Sequence, residues 1–184
     1  LDEDLFALLQ EADARETLRR TLIEEYFSDE IQNALYDLGR VHEEAYQYSR
    51  ALLDYVQSED SLDVERPDEP ARDQGFRRAV VEAYDHRCAI SGIRILTADG
   101  LTAVDAAHIV PWSESHNDDP RNGLALSKLC HWIFEQGLLT IGDDYTISLS
   151  PEITAPYNTP GHLSTLEDRS ILLPDEEALW PDPE

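Results

Sequence analysis

The segment DAAHIVPWSESHNDDPRNGLALSKLCHWIFEQG, from Asp105 to Gly137, constrains the fold of this chain more than any other. A β-rich run leads to His108, a loop rich in Asp, Asn, Pro and Ser spans residues 111–122, and a helical pattern runs from about residue 124 to 136. Short strands are predicted at residues 93–96 and 102–107. The order strand, strand, helix predicts a small α+β unit.

Four side chains in this segment suit phosphodiester hydrolysis, which needs an activated water, a cation near phosphorus and a group that orients the base. His131 and Glu135 lie four positions apart on the predicted helix, so both leave the same face and can reach one divalent ion. His108 ends a strand, where an imidazole can accept a proton near neutral pH. Asn122 can fix the loop between them.

The motifs AAHIVPW, DDPRNGLAL and CHWIFEQGLL resemble the His, Asn and His segments of the HNH endonucleases. They are most similar to a restriction-type branch with the motifs A-A-H-I-x-P and H-x-x-F-[DE]-x-G. The resemblance is firm over residues 76–141 and looser in the C-terminal tail. It implies a ββα-metal finger that hydrolyses DNA with Mg²⁺ or Mn²⁺, in restriction or host defence.

Carried over residue by residue, the resemblance makes His108 the general base, Asn122 the orienting residue, and His131 and Glu135 metal ligands. Many members of the family place an Asp or His ligand directly before the base, where this chain has Ala107. Asp105 is the candidate replacement, since in a strand it points to the same face about 6.6 Å further along. Without the usual ligand, the alternative is a catalytically inactive finger that binds DNA or protein.

Two further features of the finger carry their own expectations. Asp118 and Asp119, in the loop before Asn122, could assist a metal, but turn formation is favoured for both because Asp often satisfies turn backbone groups. The segments CAIS and SKLC resemble halves of the C-x-x-C pairs that bind structural zinc in related proteins. Two thiols do not make a tetrahedral zinc site, so Cys88 and Cys130 are predicted to be free and buried.

Charge restricts how this chain can meet DNA, because it carries 39 acidic against 14 basic residues and a formal net charge of −25. Residues 76–150 are the least acidic part, with 6 bases and 10 acids, against 7 and 21 in residues 1–75. Arg121 and Lys128 are the predicted phosphate contacts there. The acid excess with a single lysine suggests adaptation to high salt, and Trp112 and Trp132 are predicted core residues.

The predicted domain order is a helical N-terminal region (residues 1–57), an acidic linker (residues 58–75) and the HNH domain with its tail (residues 76–184). Apolar residues at three- and four-residue spacing predict a helical hairpin in the first part, a candidate homodimer surface. No apolar run could span a membrane, and the N-terminus lacks a signal-peptide pattern, which favours the cytoplasm. Target choice is expected to come from a recognition module or a partner subunit.

Overall fold

The computed structural model describes residues 2–58 and 65–182. The chain divides into two compact units, and the division falls within a long helix, between Glu44 and Ala45. Within the described residues, no helix is long and apolar enough to cross a membrane.

Three helices form the first unit: α1 (Glu3–Leu8), α2 (Ala12–Tyr26) and the N-terminal part of α3 (Asp29–Ser58). Helix α1 begins after Asp2, whose side chain accepts hydrogen bonds from the backbone N–H groups of the first turn. Helix α2 packs antiparallel to α3, with Ile23 buried and Tyr36 donating to Glu24 at 3.4 Å. The predicted helical hairpin is confirmed, with α1 as an additional turn of helix before it.

The second unit begins with the C-terminal part of α3 and continues with α4 (Glu69–Ala83). Helix α4 begins inside the segment predicted as a solvated linker, so that prediction is wrong for residues 69–75. Pro70 occupies the first turn, where a proline starts a helix without losing a hydrogen bond. Arg72 and Ala71 are buried in this turn, whereas residues 59–64 of the predicted linker lie outside the described residues.

A ββα unit forms the centre of the second unit. Strands β1 (Val104–His108) and β2 (Gly123–Ser127) pair antiparallel, with Ala107 opposite Leu124 and His108 opposite Gly123. Between the strands lie a single-turn helix, α5 (Trp112–Ser115), and a 3₁₀ turn at Pro120–Asn122. Helix α6 (Lys128–Glu135) follows β2 directly, because Ser127 caps it by accepting a hydrogen bond from the backbone N–H of Cys130.

The pairing of this unit differs from the sequence prediction. The strand predicted at residues 102–107 corresponds to β1, Val104–His108. Residues 93–96 do not form its partner, because they make only isolated bridges, Arg94 with Arg87 and Leu96 with Thr102. The second strand is instead GLALS, Gly123–Ser127, which was predicted as the start of the helix. A short apolar run bounded by a turn fits a buried strand and a buried helix equally well, and here the Ser127 cap marks the change.

A second two-stranded sheet pairs β3 (Leu139–Ile141) with β4 (Ile147–Leu149), which confirms the predicted hairpin. Near the C-terminus, Trp180 donates to the carbonyl of Pro174 at 2.9 Å and meets Tyr145 edge to face. Helices α3, α4 and α6 and both sheets share one apolar core, whose fully buried members include Leu52, Val80, Leu124, Leu126, Ile133, Leu139 and Ile147.

Candidate active site

An open cleft of about 930 Å³ lies beside strands β1 and β2 and helix α6, in the second of the two compact units. Its lining includes three of the residues singled out by sequence, His108 from the end of β1 and His131 and Glu135 from α6. Strand β1 and helix α6 are joined through β2, so the short ββα connection fixes their spacing. The fold therefore brings the proposed base and the proposed helical ligands to one place.

The His108 ring is held on three sides. Its face stacks on Phe76 of α4, with ring centroids 3.9 Å apart and an interplanar angle of 7°. The Trp112 ring is tilted by 50° to it at a centroid distance of 6.2 Å, and Nε2 lies 3.3 Å from Asp118 Oδ1. Because a fifth of the His108 side chain remains exposed, the ring is oriented without being sealed from solvent.

Asp118 is a buried carboxylate with three partners. Besides His108, it accepts hydrogen bonds from the Tyr48 hydroxyl at 3.0 Å and from the Arg72 guanidinium at 3.5 Å. Only 2% of its side chain is exposed. The Arg72 guanidinium lies over the Trp112 ring at 3.6 Å, which places a cation beside this carboxylate. Buried charges persist in proteins when they are paired in this way.

Asn122 fixes the loop that follows β1. Its Oδ1 accepts from the Val110 backbone N–H at 2.8 Å, and its Nδ2 donates to the carbonyls of Val110 at 3.1 Å and Asn117 at 3.0 Å. The three hydrogen bonds of its side-chain amide therefore all go to the backbone of the loop that carries Trp112 and Asp118. The orienting role predicted for Asn122 would act through this loop.

His131 and Glu135 converge on one face of α6, with His131 Nε2 and Glu135 Oε1 3.2 Å apart. Their side chains are 25% and 61% exposed, so both can reach a ligand in the cleft. Within the described ranges, no third His, Cys, Asp or Glu joins them in a ready metal cluster. The arrangement offers one imidazole and one carboxylate.

Asp105, the candidate replacement for the missing ligand at Ala107, is not gathered with these two residues into a metal cluster within the described residues, and its role as a ligand stays a prediction. Asp105 lies outside the cleft lining, pairs with the Arg77 side chain of α4, and accepts from the backbone N–H of Ala106. Arg77 also donates to the Val104 carbonyl at 3.2 Å. Its salt bridge holds Asp105 against α4 rather than against α6.

The two predicted phosphate contacts, Arg121 and Lys128, differ in whether an acidic side chain already pairs with them. Arg121 makes a two-pronged salt bridge with Asp119, with Nη2 at 2.6 Å from Oδ2, and these hydrogen bonds raise the pKa of Arg121. Lys128 is exposed at the first position of α6 and has no ion-pair partner within the described part of the chain. Lys128 is therefore the more available cation for a phosphate contact.

The prediction for the two tryptophans is wrong, whereas the prediction for the two cysteines is confirmed. Trp132 is 54% exposed and Trp112 lines the cleft, so neither is a core residue as predicted. Cys88 and Cys130 are free and buried, as predicted. A hydrogen bond from the Cys130 thiol lowers the pKa of Cys88, with Ser91 and Ser127 beside the pair.

Comparisons with known proteins agree with this geometry. Residues 88–142 match the family model described as HNH endonuclease. Residues 88–142 are therefore an HNH endonuclease domain, which confirms the predicted resemblance to the HNH endonucleases over this segment and the expected α+β fold.

A solved structure titled "Modification dependent TagI restriction endonuclease" aligns with a TM-score of 0.44 and 24% sequence identity. The alignment covers 62% of this chain and 36% of that chain. No curated protein matches the sequence.

Sequence reasoning missed four residues around His108: Asp118, Arg72, Tyr48 and Phe76. Asp119 does form a turn, accepting from the Arg121 backbone N–H at 2.9 Å, whereas the Asp118 side chain is buried and contacts His108. The sequence did hold one signal for Asp118. Asp119 alone suffices to cap the 3₁₀ turn, so turn formation does not explain the second Asp of the pair. The partners from α3 and α4 lie too far along the chain for any local pattern to connect them with His108.

Proposed function

We propose that this protein is a metal-dependent endonuclease that hydrolyses DNA phosphodiester bonds. The observation that carries the proposal is the shared cleft, in which an oriented imidazole, His108, faces the same space as His131 and Glu135. The HNH endonuclease match over residues 88–142 supports the same reaction class.

In the proposed reaction His108 is the general base. It takes one proton from a water molecule, whose oxygen attacks phosphorus in line with the departing 3′ oxygen. The bond between phosphorus and that oxygen breaks. Phe76 and Asp118 hold the imidazole plane, and Asn122 holds the loop from which Asp118 and Trp112 project. These residues reduce the motion needed to reach a productive geometry.

His131 and Glu135 are the proposed metal-holding residues. An imidazole and a carboxylate 3.2 Å apart on one helix face suit Mn²⁺ or Mg²⁺, since Mg²⁺ uses one or two protein carboxylates with water and phosphate oxygens. Bound there, a divalent ion would supply positive charge that stabilises the phosphate and the leaving oxygen. The carboxylate of Glu135 and the imidazole of His131, both lining the cleft with His108, would hold it.

Restriction or host defence is the proposed biological setting, on the strength of the A-A-H-I-x-P and H-x-x-F-[DE]-x-G motifs. Lys128 and, after release from Asp119, Arg121 are the proposed phosphate contacts. Target choice is assigned to a recognition module or partner subunit, and the N-terminal helices to self-association as a homodimer. The proposed compartment is the cytoplasm, at high salt.

Nicking of supercoiled plasmid tests the function. In high-KCl buffer the protein is expected to nick plasmid with Mg²⁺ or Mn²⁺ and not with EDTA. His108→Ala is expected to abolish nicking, whereas the matched variant His162→Ala, at an exposed histidine outside the cleft, keeps it. Absence of cleavage by the intact chain on both modified and unmodified plasmid would favour the binding-only finger.

The metal assignment has a separate test. Glu135→Gln removes the charge of the proposed ligand and is expected to raise, at least severalfold, the Mg²⁺ concentration needed for half-maximal nicking. Glu114→Gln, on α5 and outside the cleft lining, is the matched control. An unchanged Mg²⁺ requirement in Glu135→Gln would remove Glu135 from the ligand set.

A further inference from the structure

The proposed base is in contact with a carboxylate that no motif assigns to the reaction. His108 Nε2 lies 3.3 Å from Asp118 Oδ1, and 2% of the Asp118 side chain is exposed. The other partners of Asp118 are donors, the Tyr48 hydroxyl from α3 and the Arg72 guanidinium from α4. Three segments remote in sequence therefore converge on one carboxylate beside the histidine.

This set of contacts determines which nitrogen of His108 carries the proton. An ionised carboxylate can only accept hydrogen bonds, so its contact with a neutral imidazole requires the proton on Nε2. Nδ1 is then left with its lone pair. A neutral imidazole has one donor nitrogen and one acceptor nitrogen, and the partner of the donor selects the tautomer.

The neighbours of His108 leave Asp118 as the group that makes this selection. The residues packed against the ring are Phe76 from α4 and Trp112 from α5, whose apolar rings set its plane. Arg72 is the charged group nearest to Asp118, and it lies on the Asp118 side, stacked over Trp112. Tyr48 and Arg72 contact Asp118 at 3.0 and 3.5 Å, and none of these three residues lines the cleft.

We infer that Asp118 is a positioning residue for the nuclease reaction: it holds His108 in the Nε2-protonated tautomer and leaves Nδ1 as the atom that accepts the proton of water. Tyr48 and Arg72 act one step further from His108, because they hold Asp118 in place by donating hydrogen bonds to it. This inference rests on the proposed function for its catalytic consequence, whereas the tautomer can be measured without any activity.

The first measurement is the tautomer itself. Two-bond ¹H–¹⁵N correlation spectra of protein labelled with ¹⁵N-histidine distinguish the two neutral tautomers at about pH 8, where an ordinary imidazole is neutral. Six histidines are present, and the signal missing from His108→Ala identifies His108. The expected pattern is the Nε2-protonated form in the native protein and a mixture in Asp118→Asn, because an amide can donate or accept.

The second measurement is steady-state cleavage by variants whose fold is checked by near-UV circular dichroism. Asp118→Asn is expected to lower kcat about 10- to 100-fold with KM within about twofold, as for other groups that orient a functional histidine. Asp99→Asn, at an exposed turn, is the matched control. Tyr48→Phe is expected to lower kcat by less, and Tyr46→Phe, two residues away on α3 and 40% exposed, is its control.

The outcomes separate this inference from the proposed function. An Nδ1-protonated His108 overturns the inference whatever the activity, as does a folded Asp118→Asn with native kcat. If His108→Ala is inactive while Asp118→Asn is native-like, the nuclease stands and the positioning role fails. If the native protein cleaves no DNA, the proposed function fails, and the tautomer alone decides whether Asp118 sets the state of His108.

Discussion

Tyr84, at the C-terminal end of α4, places its phenol in the apolar core. The residue is 5% exposed, and its hydroxyl has no hydrogen-bond partner within the described residues. Burial raises the pKa of this hydroxyl, so it is neutral over the working pH range. A buried polar group without a partner costs free energy that the aromatic ring must offset.

Removing this hydroxyl is therefore expected to leave the protein as stable as before or to stabilise it. Tyr84→Phe should change the free energy of unfolding by between 0 and about +1 kcal/mol, measured by urea denaturation. Tyr48→Phe is the contrasting variant, because it loses a bond to buried Asp118 and should destabilise by about 1 kcal/mol. A clear loss of stability in Tyr84→Phe would mean that its hydroxyl is satisfied.

Single residues also show where sequence patterns stop being informative. His108, Asn122, His131 and Glu135 were found by sequence because their spacing belongs to one local segment. Arg72 was read as part of a solvated linker, since charged residues are usually exposed. Its burial follows from Asp118 and Trp112, 46 and 40 positions further along the chain, which no local pattern can report.

At the scale of elements, the close approach of α4 to β2 sets the position of the His108 ring. A Cβ at Gly123 would meet Val80 and would lie 3.0 Å from Phe76 Cζ. Gly123 pairs with His108 in the sheet, and Phe76 stacks on the His108 ring. The absence of a side chain at Gly123 thus allows α4 to place Phe76 against the His108 ring.

Gly123→Ala tests this packing. The added methyl group is expected to push α4 from the sheet and to destabilise the protein by about 1 to 3 kcal/mol, measured by thermal or urea unfolding. Nicking activity should fall as Phe76 shifts. Gly100→Ala is an informative comparison, since a Cβ there meets open space, so that only the strain of its positive φ of 87° remains. Native stability in Gly123→Ala would show that α4 accommodates the methyl group.

The elements differ in how well the sequence predicts them. The hairpin β3–β4 follows from two β-rich runs around GDD, and α2 and α3 follow from their apolar periodicity. Strand β2 was read as helix because GLAL runs into the apolar pattern of α6. Its strand state depends on pairing with β1, a tertiary contact that outweighs local preference.

For the whole molecule, the net charge of −25 is the dominant electrostatic fact. Repulsion among so many carboxylates opposes the compact state, and it extends about 10 Å at 0.1 M salt but only about 3 Å at 1 M. Local salt bridges such as Arg50 with Glu82 engage a few of these acids, since the chain has only 14 basic residues.

The protein is therefore expected to become more stable as KCl is added. The midpoint of thermal unfolding should rise by about 5 °C or more between 0.1 and 2 M KCl, with most of the rise below 1 M, where the screening length changes most. Differential scanning calorimetry measures this directly. A flat or falling midpoint would contradict the interpretation of the acidic composition as an adaptation to high salt.

Helix α3 determines how short a fragment of this chain can be made without losing part of its core. Its C-terminal part supplies Leu52 and Leu53 to the core and Tyr48 to Asp118. A fragment that began at Phe76, or one trimmed to residues 88–142, would lack these side chains as well as Arg72. The stretch that carries the family motifs is thus shorter than the stretch that folds around the histidine, and a fragment that keeps this packing should begin no later than Ala45.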